Sequence, residues 1–223
     1  MEKRETGRGS ERTRFGLLVG TPSDLTDGLE TLAALQFLPT VSEILDRYDP
    51  HEPSERTYVI ANGTLWADTA GTTLADRPNI VPLLVSVGLP RGEDPSNPLV
   101  ISNEAREYFA ANGPIGCRDS TTVDVLAEAG VPAYLSGCLT MTFPEYNGRR
   151  SGSFVFVDVA EEVRDSVCRS LGVESMDIRT MTAQMPGLPG GLNRRFVRLR
   201  QMAEARRILR LCERSATVVT THS

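Results

Sequence analysis

Histidine is nearly missing from this chain: His51 and His222 are the only two. The four cysteines, Cys117, Cys138, Cys168 and Cys212, are widely spaced, and no Cys-x-x-Cys occurs. A zinc site needs clustered nitrogen and sulfur ligands, so none is expected. All four cysteines lie in apolar segments, as reduced and buried thiols of a cytoplasmic protein do. No run of about 18 apolar residues exists, so no membrane-spanning helix is expected. Aromatic residues make up only 6% of the chain, too few to suggest a stacking platform for bases. A net charge of −5 lacks the basic excess of a nucleic-acid binder. Met1 to Arg14 is charged with no apolar core behind it, so 1–14 reads as a disordered polar tail and not a secretory signal.

What is present is enough for a packed core. The 223 residues are 40% apolar and 24% charged, which fits one or two ordinary domains. Phe15 to Val19, Tyr58 to Ala61 and Ile80 to Val87 read as buried strands. Leu29, Leu32, Ala33, Leu35 and Leu38 form an apolar helical stripe ended by Pro39, and a second helix is expected from Val41 to Tyr48. Ser102 caps a helix through Ala111, with Ala105, Tyr108 and Phe109 inward. Strands alternating with helices predict a parallel sheet over 15–143. The polar, turn-rich stretch 144–152 reads as a hinge. Beyond it, 153–223 offers strands near Phe154, Ile178 and Ala216. A helix carrying Val163, Val167 and Leu171 stops at Gly172. A loop follows at Met185 to Gly191, then a helix from Arg195 to Glu213 that buries Leu199, Met202, Ala205, Leu209 and Cys212. The arginines of this last helix read as a solvated face.

The most informative stretch is Gly113-Pro114-Ile115-Gly116-Cys117-Arg118-Asp119, followed by Ser136-Gly137-Cys138-Leu139-Thr140-Met141-Thr142-Phe143. It reads as strand, capped helix from about Thr121 to Ala129, and strand. Ligands of open α/β sheets bind beyond the carboxyl ends of the strands, and both polar clusters fall there. Two such ends side by side make half of a site for an anionic or sugar-like ligand.

This pair of motifs resembles the polysaccharide pyruvyl transferase family, which carries Pro-Ile-Gly-Cys-Arg-Asp, a helix, and then Ser-Gly-Cys-Leu-Thr-Leu-Thr. The segment Asp24 to Pro39 is similar to the family's first helix, with Asp27 at the Asp of its Gly-Asp pair, Thr26 replacing the Gly and Glu30 replacing a Gln. Tyr58-Val59-Ile60-Ala61-Asn62-Gly63 and Val81 to Ser86 resemble its next two strands. The resemblance runs from about Phe15 to the C-terminus. It implies an α/β protein of two Rossmann-like domains with parallel sheets, facing each other in a glycosyltransferase-B arrangement. The second domain, 153–223, would be incomplete, because the family continues past its Ala-x-Val-Val-Thr strand into an Arg-Leu-His turn.

The resemblance implies transfer of pyruvate from phosphoenolpyruvate to a sugar of a polysaccharide or its precursor, as a ketal. That chemistry needs cations for carboxylate and phosphate, an acid for the enol carbon and a base for the sugar hydroxyl. It requires no metal or organic cofactor. Arg118 is the candidate anion-binding group, with Asp119 either orienting it or capping the next helix. Asp27 is the candidate base, or a first-turn carboxylate favoured by the helix dipole. Asn62 and Gly63 could meet a sugar or form a plain turn. Ser136 and Gly137 could offer backbone N–H groups to a ligand. His222 stands near the family's Arg or His position, with its role open. The expected partners are phosphoenolpyruvate and a sugar acceptor. Two other readings stay open: a glycosyltransferase using a nucleotide-sugar donor, and a non-catalytic remnant or binding module. The strand at Ala216 to Thr220, with an unpaired edge, favours self-association, and weak turnover is expected of this chain alone.

Overall fold

The computed structural model describes residues 13–20, 24–47, 49, 52–65, 74–89, 101–172, 178–182 and 194–220. Residues 1–12, His51, the expected loop at 185–191 and His222 lie outside the described residues.

The protein is α/β, with two parallel sheets. The first has six strands: β1 (Arg14–Val19), β2 (Glu43–Asp46), β3 (Thr57–Thr64), β4 (Ile80–Gly88), β5 (Ile115–Cys117) and β6 (Ala133–Leu135), in the order β2-β1-β3-β4-β5-β6. Every pairing is parallel. Its helices are α1 (Leu25–Leu35), α2 (Asn103–Ala111) and α3 (Ser120–Glu128). The second sheet is smaller: β7 (Phe154–Val157), β8 (Ile178–Met181) and β9 (Thr217–Thr220), in the order β8-β7-β9. The connecting helices are α4 (Glu161–Leu171) and α5 (Arg194–Arg214). Both units are Rossmann-like. Among the described residues no helix is long and apolar enough to cross a membrane.

Strand periodicity places the two cores of the large sheet. Leu17 and Val19 face α1 and α5, while Leu18 between them joins Leu45, Val59, Leu84, Phe109 and Leu126 on the other face. A sheet so covered on both faces reads as continuous apolar runs, as β1 and β4 do. Helix ends are set locally. Asp24 accepts from the Thr26 N–H at 2.7 Å, Ser102 from Ala105 at 3.2 Å and Asp119 from Thr122 at 2.8 Å. Gly172, at φ 65°, ends α4 in the left-handed conformation.

Two expected elements differ. The segment 41–48, expected as a helix, contains β2, in register with β1 from Gly16 opposite Glu43 to Val19 opposite Asp46. Its adjacent apolar residues serve opposite faces: Leu45 packs with the α2 and α3 side, Ile44 with the α1 and α5 side. That is a period of two, which a helix cannot supply. In α5 the buried stripe is Gln201, Met202, Ala205 and Ile208, whereas Leu199 is exposed. The stripe turns toward α1, where a Cβ on Gly28 would lie 3.0 Å from the Ala205 Cβ. The Gln201 amide donates to the Asp24 carbonyl at 2.8 Å, so a polar residue faces inward with its hydrogen bond made. Arg198 meets the Asp46 carboxylate at 2.9 Å. Thus a helix following the 144–152 segment completes the core of the first sheet. All four cysteines are free thiols; Cys117 and Cys168 are buried and the other two half-buried.

Candidate functional site

The carboxyl ends of β1 to β5 bring together four charged side chains. Asp27 and Glu30 lie one turn apart on α1, Arg47 follows β2, and Arg118 follows β5. The Arg118 guanidinium sits 3.2 Å from Glu30 Oε1, and Arg47 lies 3.9 Å from Asp27 Oδ1. Arg47 and Arg118 both act on the Glu30 charge, so the four alternate in sign as Asp27, Arg47, Glu30, Arg118. Glu30 and Arg47 are buried, Asp27 nearly so, and Arg118 is one-third exposed at 33%. Arg118 is therefore the member of the chain that solvent, or an anion, can reach.

Glycine makes the space for this cluster. A Cβ on Gly20, after β1, would strike the Asp27 carboxylate, and one on Gly63, in β3, the Glu30 carboxylate. One on Gly88, at the end of β4, would lie 2.7 Å from Arg118 Nη2. Gly63 also has φ +82° at a register shift in the β3–β4 ladder, a conformation that disfavours other residues.

Backbone carbonyls hold the inner pair in place. Arg47 donates to the Asn62 carbonyl at 2.6 Å and to that of Thr64 at 3.2 Å. Arg77, buried, donates to the carbonyls of Asp46 and Arg47 at 2.8 and 3.0 Å, which fixes the end of β2. Burial pushes the Glu30 carboxyl above its usual range. Arg47 opposes that most, Asp27 adds to it, and Arg118 opposes it more weakly. Burial together with specific charged partners is the pattern that marks candidate functional carboxyls.

The expected residues divide into two groups. Arg118 and Asp27 enter the cluster. Arg118 and Gly137 lie just past the ends of adjacent strands, β5 and β6, as expected. Asp119 caps α3, and the carboxylate beside Arg118 is Glu30. Asn62 is buried, and its amide donates to the Glu30 carbonyl at 3.0 Å, so it ties β3 to α1. The N–H groups of Ser136 and Gly137 both donate to the Cys117 carbonyl, at 2.9 and 3.2 Å. The Ser136 hydroxyl accepts from the Ser86 N–H at 3.1 Å, and the Ser86 hydroxyl accepts from the Leu139 N–H at 2.9 Å. Ser86 holds φ 59°, a costly conformation for serine, to make this bolt between β4 and the loop after β6. Burial, aided by Asp119, pushes the Cys117 thiol up to about 11, which leaves it protonated and unreactive.

Glu30, Arg47 and Ser86 were not among the expected site residues. Glu30 had a signal: it follows Asp27 by three positions, so both share one helix face. Arg47 and Ser86 had none, because their neighbours come from distant strands. Comparison with protein-family models, with curated proteins and with solved structures returns no match for this chain.

Proposed function

We propose that the strand-end cluster binds the carboxylate or phosphate of phosphoenolpyruvate, and that the protein serves pyruvyl transfer to a sugar of a polysaccharide or its precursor. The observation that carries this reading is the pairing of a partly exposed Arg118 with a buried carboxyl, Glu30, whose affinity for a proton is raised by burial. The resemblance of the Pro-Ile-Gly-Cys-Arg-Asp and Ser-Gly-Cys-Leu-Thr motifs supports it. Arg118 grips the anion through its planar fork. Glu30 is the proton source, and Asp27 is the carboxylate for a sugar hydroxyl.

The reaction balances as follows. The enol carbon takes a proton from the acid. Two sugar hydroxyl oxygens bond in turn to the central carbon, and the phosphate leaves with the electron pair of its C–O bond. Of the two hydroxyl protons released, one restores the acid and one goes to phosphate.

Titration calorimetry with phosphoenolpyruvate, and with a nucleotide sugar as rival ligand, tests this. Arg118→Ala should lose about 2–4 kcal/mol of phosphoenolpyruvate affinity. Arg118→Lys should recover only part, because the fork is lost. Equal affinity in wild type and Arg118→Ala, with the fold intact, would make Arg118 structural. Binding of the nucleotide sugar alone would favour a glycosyltransferase.

A further inference from the structure

A second charged region lies away from the strand ends of the large sheet. Arg206, Arg210 and Arg214 recur every four residues along α5, so they stand one above another on a single face, with Arg207 beside them. Like charges so placed destabilise a helix. Two further arginines converge on the same face from other elements. Arg149 comes from the segment before β7, and Arg179 from β8. The six side chains line one groove of about 760 Å³. Its remaining lining is Ser151, Ala203, Leu211 and Ser215, and no carboxylate is among them.

Favourable interaction with the carboxyl end of the α5 dipole accounts for Arg214 and Arg210. It does not account for Arg149 and Arg179, which belong to other elements. Among the described residues, Arg207 alone of the six has a carboxylate partner, Glu204, at 2.6 Å. The walls are pinned. Ser151 donates to the Arg214 carbonyl through its N–H at 2.7 Å and its hydroxyl at 3.0 Å. Ser215 donates to the Leu211 carbonyl at 2.7 Å. Arg149 is thereby held near the end of α5. So much cationic charge in one place is unusual in a chain of net charge −5.

We infer that this groove is a binding site for an anion with adjacent phosphate groups, such as a diphosphate. Arginine forks match phosphate oxygens bidentately. A volume of about 760 Å³ is that of a small-molecule pocket. A concave groove fits a compact anion better than a nucleic-acid duplex or a flat membrane. The diphosphate can be free, or can belong to the headgroup of a larger carrier.

The test is titration calorimetry of the full chain with inorganic pyrophosphate at low ionic strength. One saturable site is expected, retained in Arg118→Ala. Affinity should fall about tenfold in Arg179→Ala, which leaves α5 intact, and further in Arg206→Ala/Arg210→Ala. These positions are exposed, so circular dichroism should show an unchanged fold. Displacement of pyrophosphate by a prenyl diphosphate shows that a carrier's diphosphate is accepted, and failure to displace it limits the site to the free anion. Sedimentation with phosphatidylcholine vesicles, with and without phosphatidylglycerol, and titration with duplex DNA test for a bare anionic surface or a duplex instead. Absence of saturable pyrophosphate binding overturns the inference. So does equal affinity in wild type and both variants. Binding to anionic vesicles or DNA without binding to pyrophosphate overturns it as well.

Discussion

Glu30 takes its character from burial, which favours its protonated form against the pull of Arg47 and Arg118. The folded chain therefore holds this proton more tightly than the unfolded chain. By linkage, Glu30 lowers stability as pH climbs from the ordinary carboxyl range through its raised folded value. Below that range both states are protonated and the penalty vanishes. Glu30→Gln removes the penalty, so its melting temperature relative to wild type should rise as pH climbs above the ordinary carboxyl range. A difference that stays flat with pH would show that Glu30 is not shifted. An anion docking at Arg118 adds a further negative charge near Glu30. Phosphoenolpyruvate binding should then take up protons, seen as a buffer-dependent heat that Glu30→Gln abolishes. Gly63 belongs to the same unit. Gly63→Ala should cost about 1–3 kcal/mol, because φ is positive and the Glu30 carboxylate fills the space. Shortening Glu30 to Ala in the same chain should recover at least about 0.5 kcal/mol of that in a double-mutant cycle.

Single elements show which parts of the sequence speak for themselves. The caps Ser102 and Asp119 and the stop at Gly172 were readable, because each acts within a few residues. Asp119→Ala should accordingly cost about 1 kcal/mol in urea unfolding, with little change in anion affinity if the cap is its whole role. The strand β2 was not readable. Val41, Ile44, Leu45 and Tyr48 fit the i, i+3, i+4, i+7 helical pattern, and only pairing with β1 makes Ile44 and Leu45 face opposite ways. In α5, Met202 and Ala205 were readable as buried, but the exposure of Leu199 and the burial of Gln201 were not, for a similar reason. Gly28 on α1 and the Asp24 carbonyl select Ala205 and Gln201 as the inward residues, and both lie more than 170 positions away. The site divides along the same line. Strand ends placed Arg118 beside Gly137, but the contact of Arg118 with Glu30 spans 88 positions and has no local trace.

At the scale of the molecule, α5 joins what the order of strands would separate. It leads into β9 of the small sheet, yet Met202, Ala205 and Ile208 pack with Leu17, Val19, Leu25 and Leu32 of the large one. Met202→Ala should cost about 2–4 kcal/mol, from lost burial and the cavity left behind. Because one helix serves both units, hydrogen exchange in that variant should accelerate in β1 and in β9 together. Acceleration confined to β9 would mean that the large sheet is indifferent to α5.

That shared helix has a consequence for synthesis. A ribosome delivers the strands of the large sheet first, and α5 only roughly 60–80 residues after the last of them ends at Leu135, a delay of about 3–15 s at usual rates of elongation. Throughout that interval the nascent large sheet presents the apolar surface of Leu17, Leu25 and Leu32 without its final cover. The protein emerges with an unfinished face, one that a chaperone or a neighbouring nascent chain can reach before the protein closes it for itself.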